Sequence, residues 1–227
     1  MATCTSETVQ KLTHLQHVLQ RPDSYIGSTQ PVAETLWILD REHFKRSLVV
    51  YSPGLLKIFD EILVNAIDRN SVFPKDVTRI AVDVNAEDGS ITVTNNGPLG
   101  GLAVQKHHSE NCYNPELVFG HLLTSTNYDD SKKRTVGGRN GYGAKLANIY
   151  SRQFGITVKD GVNKVQYTQY WTHNMSECCP PKMKKYTPQQ SSVSVTFTPD
   201  YARFGMPGGI DAHFIQILQK RVWDANV

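Results

Sequence analysis

The sequence lacks the segments that mark membrane, secreted and zinc-binding proteins. Its apolar runs all fall well short of the roughly 20 residues of a membrane span. The first ten residues, MATCTSETVQ, have neither the basic nor the apolar region of a signal peptide. The four cysteines form no CxxC pair, and the eight histidines are not spaced with them as zinc ligands are. We therefore expect an intracellular protein from a reducing compartment, with no membrane partner.

Strong charge is also missing. The net charge is +3 over 227 residues, and the sequence pI is about 8.6. Such a balance permits contact with nucleic acid but falls short of the basic footprint, with a pI above about 9, that is typical of a nucleic-acid-binding domain. With 39% hydrophobic residues, the chain can form a buried core, and its length predicts one domain, or two at most.

Two familiar phosphate-binding motifs are absent from the glycine-rich stretch 135–151, TVGGRNGYGAKLANIYS. A GxxxxGK[ST] loop is excluded because leucine follows Lys145, and the order of Gly138, Gly141 and Gly143 is GxxGxG rather than GxGxxG. Glycines this dense, placed before an amphipathic helical run, nevertheless predict an anion site, to which Arg139 and Lys145 add positive charge. The alternative interpretation is a flexible basic surface loop.

A helix is predicted to begin at Ser52-Pro53, with serine as its N-cap and proline in its first position. Glu61, Asn65 and Asp68 lie at i, i+4 and i+7, so they form one polar stripe beside the apolar face. Their oxygen atoms suit a hard cation such as Mg²⁺, and a carboxylate there could act as a general base on water. Taken alone, such a stripe is more typical of the solvated face of an amphipathic helix.

The remaining pattern indicates an α+β protein with helices on one face of a mixed sheet. Residues 35–40 and 47–51 are predicted strands joined by a charged loop at 41–46. A hairpin at 78–85 and 90–94 leads into Asn95-Asn96-Gly97, which is either a ligand-binding strand end or a simple Asn-Gly turn. Later strands are expected at 155–159, 164–172 and 193–198, a Pro/Lys-rich loop at 179–185 and a last helix at 212–223.

Four stretches carry a family resemblance: RPDSYIGS (21–28), PGLLKIFDEILVNAID (53–68), LLTSTNYDD (122–130) and GGRNGYGAKLANIYS (137–151). Their order along the chain resembles the Bergerat-type ATP site of the GHKL superfamily. Their residues resemble the N-terminal ATPase domains of eukaryotic-type (type IIA) DNA topoisomerases. The resemblance implies a two-layer α/β sandwich, with an N-terminal arm at 1–28 and the ATP-binding domain at 29–227. The transducer and DNA-cleavage domains of such enzymes would be absent.

By the same resemblance, Glu61 is expected to be the general base, Asn65 to hold Mg²⁺ and Asn95 to contact the adenine amino group. The resemblance assigns further ATP contacts to Asp68, Phe119, Ser125, Thr126, Asn127, Arg139, Asn140, Gly141, Tyr142, Gly143, Ala144 and Lys145. It implies ATP and Mg²⁺ as cofactors, and DNA and a second copy of the chain as partners in the full-length enzyme. It also implies a location in the nucleus, or in a mitochondrion or another DNA-containing organelle.

The chain departs from this family pattern in three places and in length. Arg69 replaces the usual asparagine, NNGPLGGLAV replaces NNGxGIPV, and Val9 stands where many relatives carry a tyrosine. The transducer lysine that would reach the γ-phosphate is not in the chain, so we expect ATP-Mg binding with weak hydrolysis. Other possibilities are a chaperone-type or mismatch-repair ATPase, a non-catalytic nucleotide-binding module, or a plain nucleic-acid-binding domain.

Overall fold

Two antiparallel sheets and five α-helices make up residues 10–124 and 142–225, which are the residues that the computed structural model describes. The helices are α1 (His14–Gln20), α2 (Pro53–Val72), α3 (Asn114–Gly120), α4 (Gly143–Ile149) and α5 (Ala212–Asp224). The strands are β1 (Val32–Asp40), β2 (His43–Tyr51), β3 (Ile80–Asn85), β4 (Ser90–Asn96), β5 (Ser151–Asp160), β6 (Val165–Thr172), β7 (Glu177–Cys178), β8 (Lys182–Lys185) and β9 (Ser192–Pro199). Short 3₁₀ turns occur at Pro22–Ser24, Gly100–Leu102 and Tyr201–Phe204.

The main sheet has the order β3-β4-β9-β5-β6, and both β7 and β8 pair with β6. Strand β9 lies between β4 and β5 and runs antiparallel to both of them. All pairings among the described strands are antiparallel, so the expectation of a mixed sheet is wrong in this respect. The error arose because alternation and turns locate strands but carry no information about the direction of a strand's non-consecutive neighbour.

The two faces of the main sheet differ in chemistry because side chains alternate along each strand. On one face, cross-strand neighbours form apolar rows such as Ile91, Phe197, Phe154 and Trp171, all buried. On the other face the neighbours are hydroxyl side chains. Thr92 Oγ1 lies 2.9 Å from Thr196 Oγ1, and Thr94 Oγ1 donates to Ser194 Oγ at 2.9 Å. Helices α2 and α4 pack on the apolar side, which gives the predicted α+β layering.

Helix α2 begins where the sequence predicted. Ser52 is fully buried, its Oγ accepts a hydrogen bond from the amide of Leu55 at 3.4 Å and donates one to the carbonyl of Thr29 at 3.1 Å. The apolar face of the helix lies in the core, through Leu55, Ile58, Phe59, Ile62, Leu63 and Ala66. This burial fixes the rotation of α2, so its opposite, polar stripe has a defined direction.

Two predicted loops are partly strand. The charged segment 41–46 was expected to be a loop, but only Arg41 and Glu42 form the turn, and strand β2 begins at His43. Residues 179–185 were expected to be a Pro/Lys-rich loop, yet Lys182–Lys185 pairs with β6 as strand β8. In both cases charged side chains lie on exposed strands, where lysine is tolerated because it faces water.

Helix α5 joins the separate β1–β2 hairpin to the rest of the molecule. The rings of Phe44 and Trp223 meet edge to face with centroids 5.5 Å apart, and Gln216 Nε2 donates to Asp40 Oδ1 at 3.4 Å. On its other side, Arg221 Nε lies 2.7 Å from Asp60 Oδ1 of α2. The predicted helix 212–223 thus clamps the hairpin to the helix that carries the polar stripe.

We expect Ser52→Ala to lower the free energy of unfolding by about 1–2 kcal/mol, because it removes the N-cap of α2 from a buried position. Urea unfolding measures the change. Ser71→Ala is the matched control on the same helix, since the Ser71 hydroxyl is exposed and bonds only to the Ile67 carbonyl among the described contacts. Equal effects of the two substitutions would show that the cap does not stabilise this helix.

Candidate functional site

A cavity of about 900 Å³ opens between helix α2, the end of strand β4 and the short helices α3 and α4. Eight of the residues singled out in the sequence line it: Glu61, Asn65, Asp68, Asn95, Phe119, Gly143, Ala144 and Lys145. The chain separates these residues by up to 84 positions, and packing of α2 and α4 against the same sheet face brings them together. The volume is within the usual range of small-molecule sites, about 300–1,000 Å³.

The polar stripe of α2 forms one wall. Glu61 Oε1 lies 2.5 Å from Lys57 Nζ, one turn earlier on the helix, and its other oxygen faces Gly143 at the start of α4. A Cβ atom at position 143 would collide with that oxygen, so glycine is required there for α4 to approach α2. Asn65 is exposed and Asp68 half-buried, and both line the cavity. The stripe therefore faces a cavity rather than bulk solvent alone.

The two asparagines at the end of β4 have different surroundings. Asn95 belongs to the covered face of the sheet, is 8% exposed and lines the cavity. Asn96 points to the other side, where its Oδ1 accepts hydrogen bonds from the amides of Thr78 and Arg79 at 3.0 and 2.9 Å. Of the two, only Asn95 is placed to contact a ligand, because Asn96 is used in anchoring the segment before β3.

Lys145 is almost fully buried, at 3% exposure, and its ammonium lines the cavity. Its Nζ donates to the carbonyl oxygen of Thr124 at 2.6 Å. Burial in this setting lowers the pKa of Lys145 to about 8, because the charged form loses hydration. A cation whose pKa is lowered in this way gains most from an anionic partner, which restores the favourable environment of the charge.

The remaining predicted residues are not seen in the cavity. Tyr142 lies elsewhere, and the others belong to ranges that the structure does not describe. The side chain of Tyr142 turns away from the cavity, and its hydroxyl lies 2.9 Å from His14 Nε2 of α1. Its ring also packs at 5.8 Å from that of Tyr25, in the RPDSYIGS stretch. The predicted contacts Ser125, Thr126, Asn127, Arg139, Asn140 and Gly141 lie outside the described residues, as does Val9.

Arg69, which differs from the family pattern, is also a cavity residue, and nothing in its sequence spacing indicates this. The guanidinium lines the cavity and donates to the carbonyl oxygen of Pro98. It also lies 4.8 Å from the centroid of the Phe73 ring, and burial lowers its pKa. Gly100, at φ +55°, packs so closely that a Cβ would lie 2.9 Å from Arg69 Nη1. The two departures from the family pattern, Arg69 and the NNGPLGG loop, are therefore in direct contact.

We expect Arg69→Ala to lower the free energy of unfolding by about 1.5–3 kcal/mol, the range for a hydrogen bond to a charged group. Amide hydrogen exchange should accelerate within residues 97–103, because the loop loses its anchor on α2. Arg46→Ala, on the exposed strand β2, serves as the control for loss of an arginine. Unchanged exchange in 97–103 would contradict the assigned role.

Comparison with known proteins gives a family and a set of relatives. A family model described as histidine kinase-, DNA gyrase B- and HSP90-like ATPase matches residues 51–202. DNA topoisomerase 2 of Candida glabrata is 46% identical over 223 residues, which are 97% of this chain and 16% of that protein. The resemblance drawn from the four sequence stretches is confirmed by these matches.

Solved structures agree with the fold. The ATPase region of Saccharomyces cerevisiae topoisomerase II has a TM-score of 0.93 and 46% identity, over 98% of this chain and 58% of that one. The ATPase and transducer domains of topoisomerase II from Balamuthia mandrillaris give 0.89 and 38%, over 98% and 57%. This chain spans only 14–16% of the length of the curated relatives it matches. Among the helices described, none combines the length and apolar character needed to cross a membrane.

Proposed function

We propose, from the premise that this chain belongs to the family of histidine kinase-, DNA gyrase B- and HSP90-like ATPases, that its cavity binds ATP with Mg²⁺. The observation that supports this most directly is the convergence of Glu61, Asn65, Asn95 and Lys145 on one cavity. These four residues supply a carboxylate, two amides and a buried cation. These groups suit a nucleoside triphosphate, which has an amino-bearing base at one end and concentrated negative charge at the other.

The cavity offers separate places for the two ends of the nucleotide. Asn95, at the end of β4, would hydrogen-bond the polar edge of the adenine, while Val93 and Val195 from the same sheet face provide the apolar lining on which a base can lie. Lys145 would pair with a phosphate. Residues Phe119 and Ala144, buried and lining the cavity, would complete the apolar part.

Glu61 is the residue placed to act on water. Its carboxylate faces the backbone at Gly143 and is held by Lys57 at 2.5 Å, so it lies between α2 and the start of α4. A carboxylate in that position can accept a hydrogen bond from an attacking water and orient it toward a phosphate bound near Lys145. We propose this as the general-base role, with Lys57 as the residue that fixes the rotamer.

Asn65, one helical turn after Glu61, is placed to bind Mg²⁺. An amide oxygen is among the hard ligands that Mg²⁺ accepts, and Mg²⁺ typically keeps several waters and is held by few protein groups together with phosphate. Asn65 is exposed toward the cavity and can reach such an ion without leaving the stripe. When bound, Mg²⁺ would neutralise phosphate charge.

The proposal is tested by titrating the protein with a non-hydrolysable ATP analogue, with and without Mg²⁺. We expect Asn65→Ala to remove most of the Mg²⁺-dependent gain in affinity while leaving the Mg²⁺-free affinity almost unchanged. Asn95→Ala should instead weaken binding about equally in both conditions, since it removes a base contact. Each loss should be about tenfold or more, corresponding to a hydrogen bond of at least about 1.4 kcal/mol.

Asn85→Ala is the matched control, because Asn85 is the last residue of β3 and its side chain accepts from the amide of Glu87 in the following turn, away from the residues that line the cavity. Saturable binding that is lost in neither cavity variant would place the nucleotide elsewhere. Absence of binding by the unchanged protein, under conditions where urea unfolding shows it to be folded, would refute the proposal for this chain.

Affinity for the ATP analogue should also depend on pH through Lys145. Its pKa of about 8 means that the cation is present below pH 8 and is lost as the pH rises. Nucleotide phosphates are already ionised in that range, so affinity should fall above pH 8 by at most about tenfold per pH unit, the slope for one proton. Lys145→Gln should bind more weakly and show a flat profile between pH 7.5 and 9.5. A fall of equal steepness in the variant would assign the titration to another group.

The relatives named DNA topoisomerase 2 extend the proposal to the parent protein. We propose that the chain is the nucleotide-binding part of an ATP-operated gate, in which ATP brings two copies together around DNA. On this proposal, residues 1–28 form an arm, residues 29–227 form the ATP-binding domain, and the enzyme acts in the nucleus or in a DNA-containing organelle. Stimulation of ATP hydrolysis by DNA in the longer protein would test the assignment against the chaperone-type and mismatch-repair alternatives.

A further inference from the structure

A cluster of side chains that can ligate a metal lies along α3, and its His121 also lines the edge of the cavity. Among the described residues, ligand atoms of Cys112, Glu116 and His121 all lie within 4.8 Å of one another. His121 Nε2 and Glu116 Oε1 are 3.6 Å apart. Cys112 is buried, Glu116 half-buried and His121 exposed, so the cluster extends from the core to the surface.

The path of the backbone brings these three residues close together. The segment before α3 folds back on itself, with an isolated bridge between Lys106 and Tyr113 and a hydrogen bond from the His107 amide to the Cys112 carbonyl at 2.9 Å. This places Cys112 one turn before Glu116. His121 is the C-cap residue of the seven-residue helix, at its far end. The cysteine, carboxylate and imidazole thus come from one short stretch, CYNPELVFGH.

A second thiol, that of Cys178, lies near the cluster and is connected to it through Gln169. The side chain of Gln169, on strand β6, is 1% exposed, and its Nε2 contacts both Glu116 Oε2 at 3.0 Å and Cys178 Sγ at 3.2 Å. The same nitrogen lies 3.2 Å from the Cys179 carbonyl. An amide nitrogen has two hydrogens and here faces three acceptors. One amide nitrogen therefore contacts both the Cys178 sulfur and the Glu116 carboxylate.

We propose that Cys112, Glu116, His121 and Cys178 form a binding site for a zinc-class divalent cation. Thiolate, imidazole and carboxylate are the ligands of four-coordinate zinc, with bonds of about 2.3 Å to sulfur and 2.0–2.2 Å to nitrogen or oxygen. Such bonds place ligand atoms roughly 3.3–3.8 Å apart, so the His121–Glu116 pair already has the required spacing and the Cys112 sulfur, within 4.8 Å of both, needs to move by about 1 Å. Cys178, whose sulfur lies outside that group, would join as the fourth ligand by movement of its exposed side chain. Gln169 would keep its place behind the carboxylate as a supporting hydrogen-bond donor.

The electrostatics of the cluster favour a cation. Burial, together with the nearby carboxylates of Glu116 and Glu110, raises the pKa of the Cys112 thiol. Binding through the thiolates would replace the two S–H bonds by two metal–sulfur bonds, with release of two protons. A divalent ion would remove the repulsion between thiolate and carboxylate and link strand β7 to the end of α3.

The experiment is a metal titration of the reduced protein after removal of metal with a chelator. We expect one Zn²⁺ to bind per chain, with a rise in thermal midpoint and release of protons into weakly buffered solution. Co²⁺, used in place of Zn²⁺, should give a thiolate-to-cobalt charge-transfer absorption. Cys112→Ser, Cys178→Ser and His121→Ala should each weaken binding by at least about tenfold, the lower end of the cost of disturbing a metal site.

Cys179→Ser and His108→Ala are the matched controls, because they remove an adjacent thiol and a nearby imidazole that are not in the cluster. His121→Ala also guards against misfolding, since His121 is exposed, whereas Cys112→Ser alters a buried position. Absence of the charge-transfer band in the unchanged protein would overturn the proposal. So would binding that Cys179→Ser abolishes and Cys112→Ser and His121→Ala leave intact, since it would locate the ion on the adjacent Cys178-Cys179 pair.

Discussion

The packing of helix α2 on the apolar face of the main sheet is the constraint on which the rest of the structure depends. Its six buried apolar side chains fix the rotation of the helix, so the stripe of Glu61, Asn65 and Asp68 is directed toward the cavity. The same burial brings α4 close enough that position 143 must be glycine. Hydrophobic burial, which has no direction of its own, here determines the direction of the polar groups because they share a helix with it.

The sequence predicts those features that depend on a few neighbouring residues, such as helix starts and the spacing of side chains on one face. Ser52-Pro53 specified the start of α2, and spacing alone placed Glu61, Asn65 and Asp68 on one stripe. That Asn95 rather than Asn96 enters the cavity follows from the period of two along β4, once the covered face is known. The direction of β9 and the pairing of β8 depend on distant partners, which no short window contains. Lys145 faces the cavity and Tyr142 faces away from it although both belong to the same glycine-rich stretch, because Tyr142 packs against His14 of α1 and against Tyr25.

Arg69 shows how a departure in one segment can be matched by a departure in another. Its guanidinium is larger than the asparagine expected there, and it finds an acceptor in the Pro98 carbonyl and a flat neighbour in Phe73. Gly100 leaves the space that the guanidinium occupies. The unusual loop and the unusual arginine therefore form one packed unit at the rim of the cavity.

The bond between Lys145 and Thr124 has a consequence for how any anion enters the cavity. The ammonium already donates to the Thr124 carbonyl at 2.6 Å. Because an ammonium has three N–H donors, an anion can join that carbonyl as a second acceptor without displacing it. The carbonyl then acts as an anchor that holds the cation at the cavity wall before any anion arrives. The same side chain that an anion would meet is therefore the one that ties Thr124, another residue of the cavity wall, to α4.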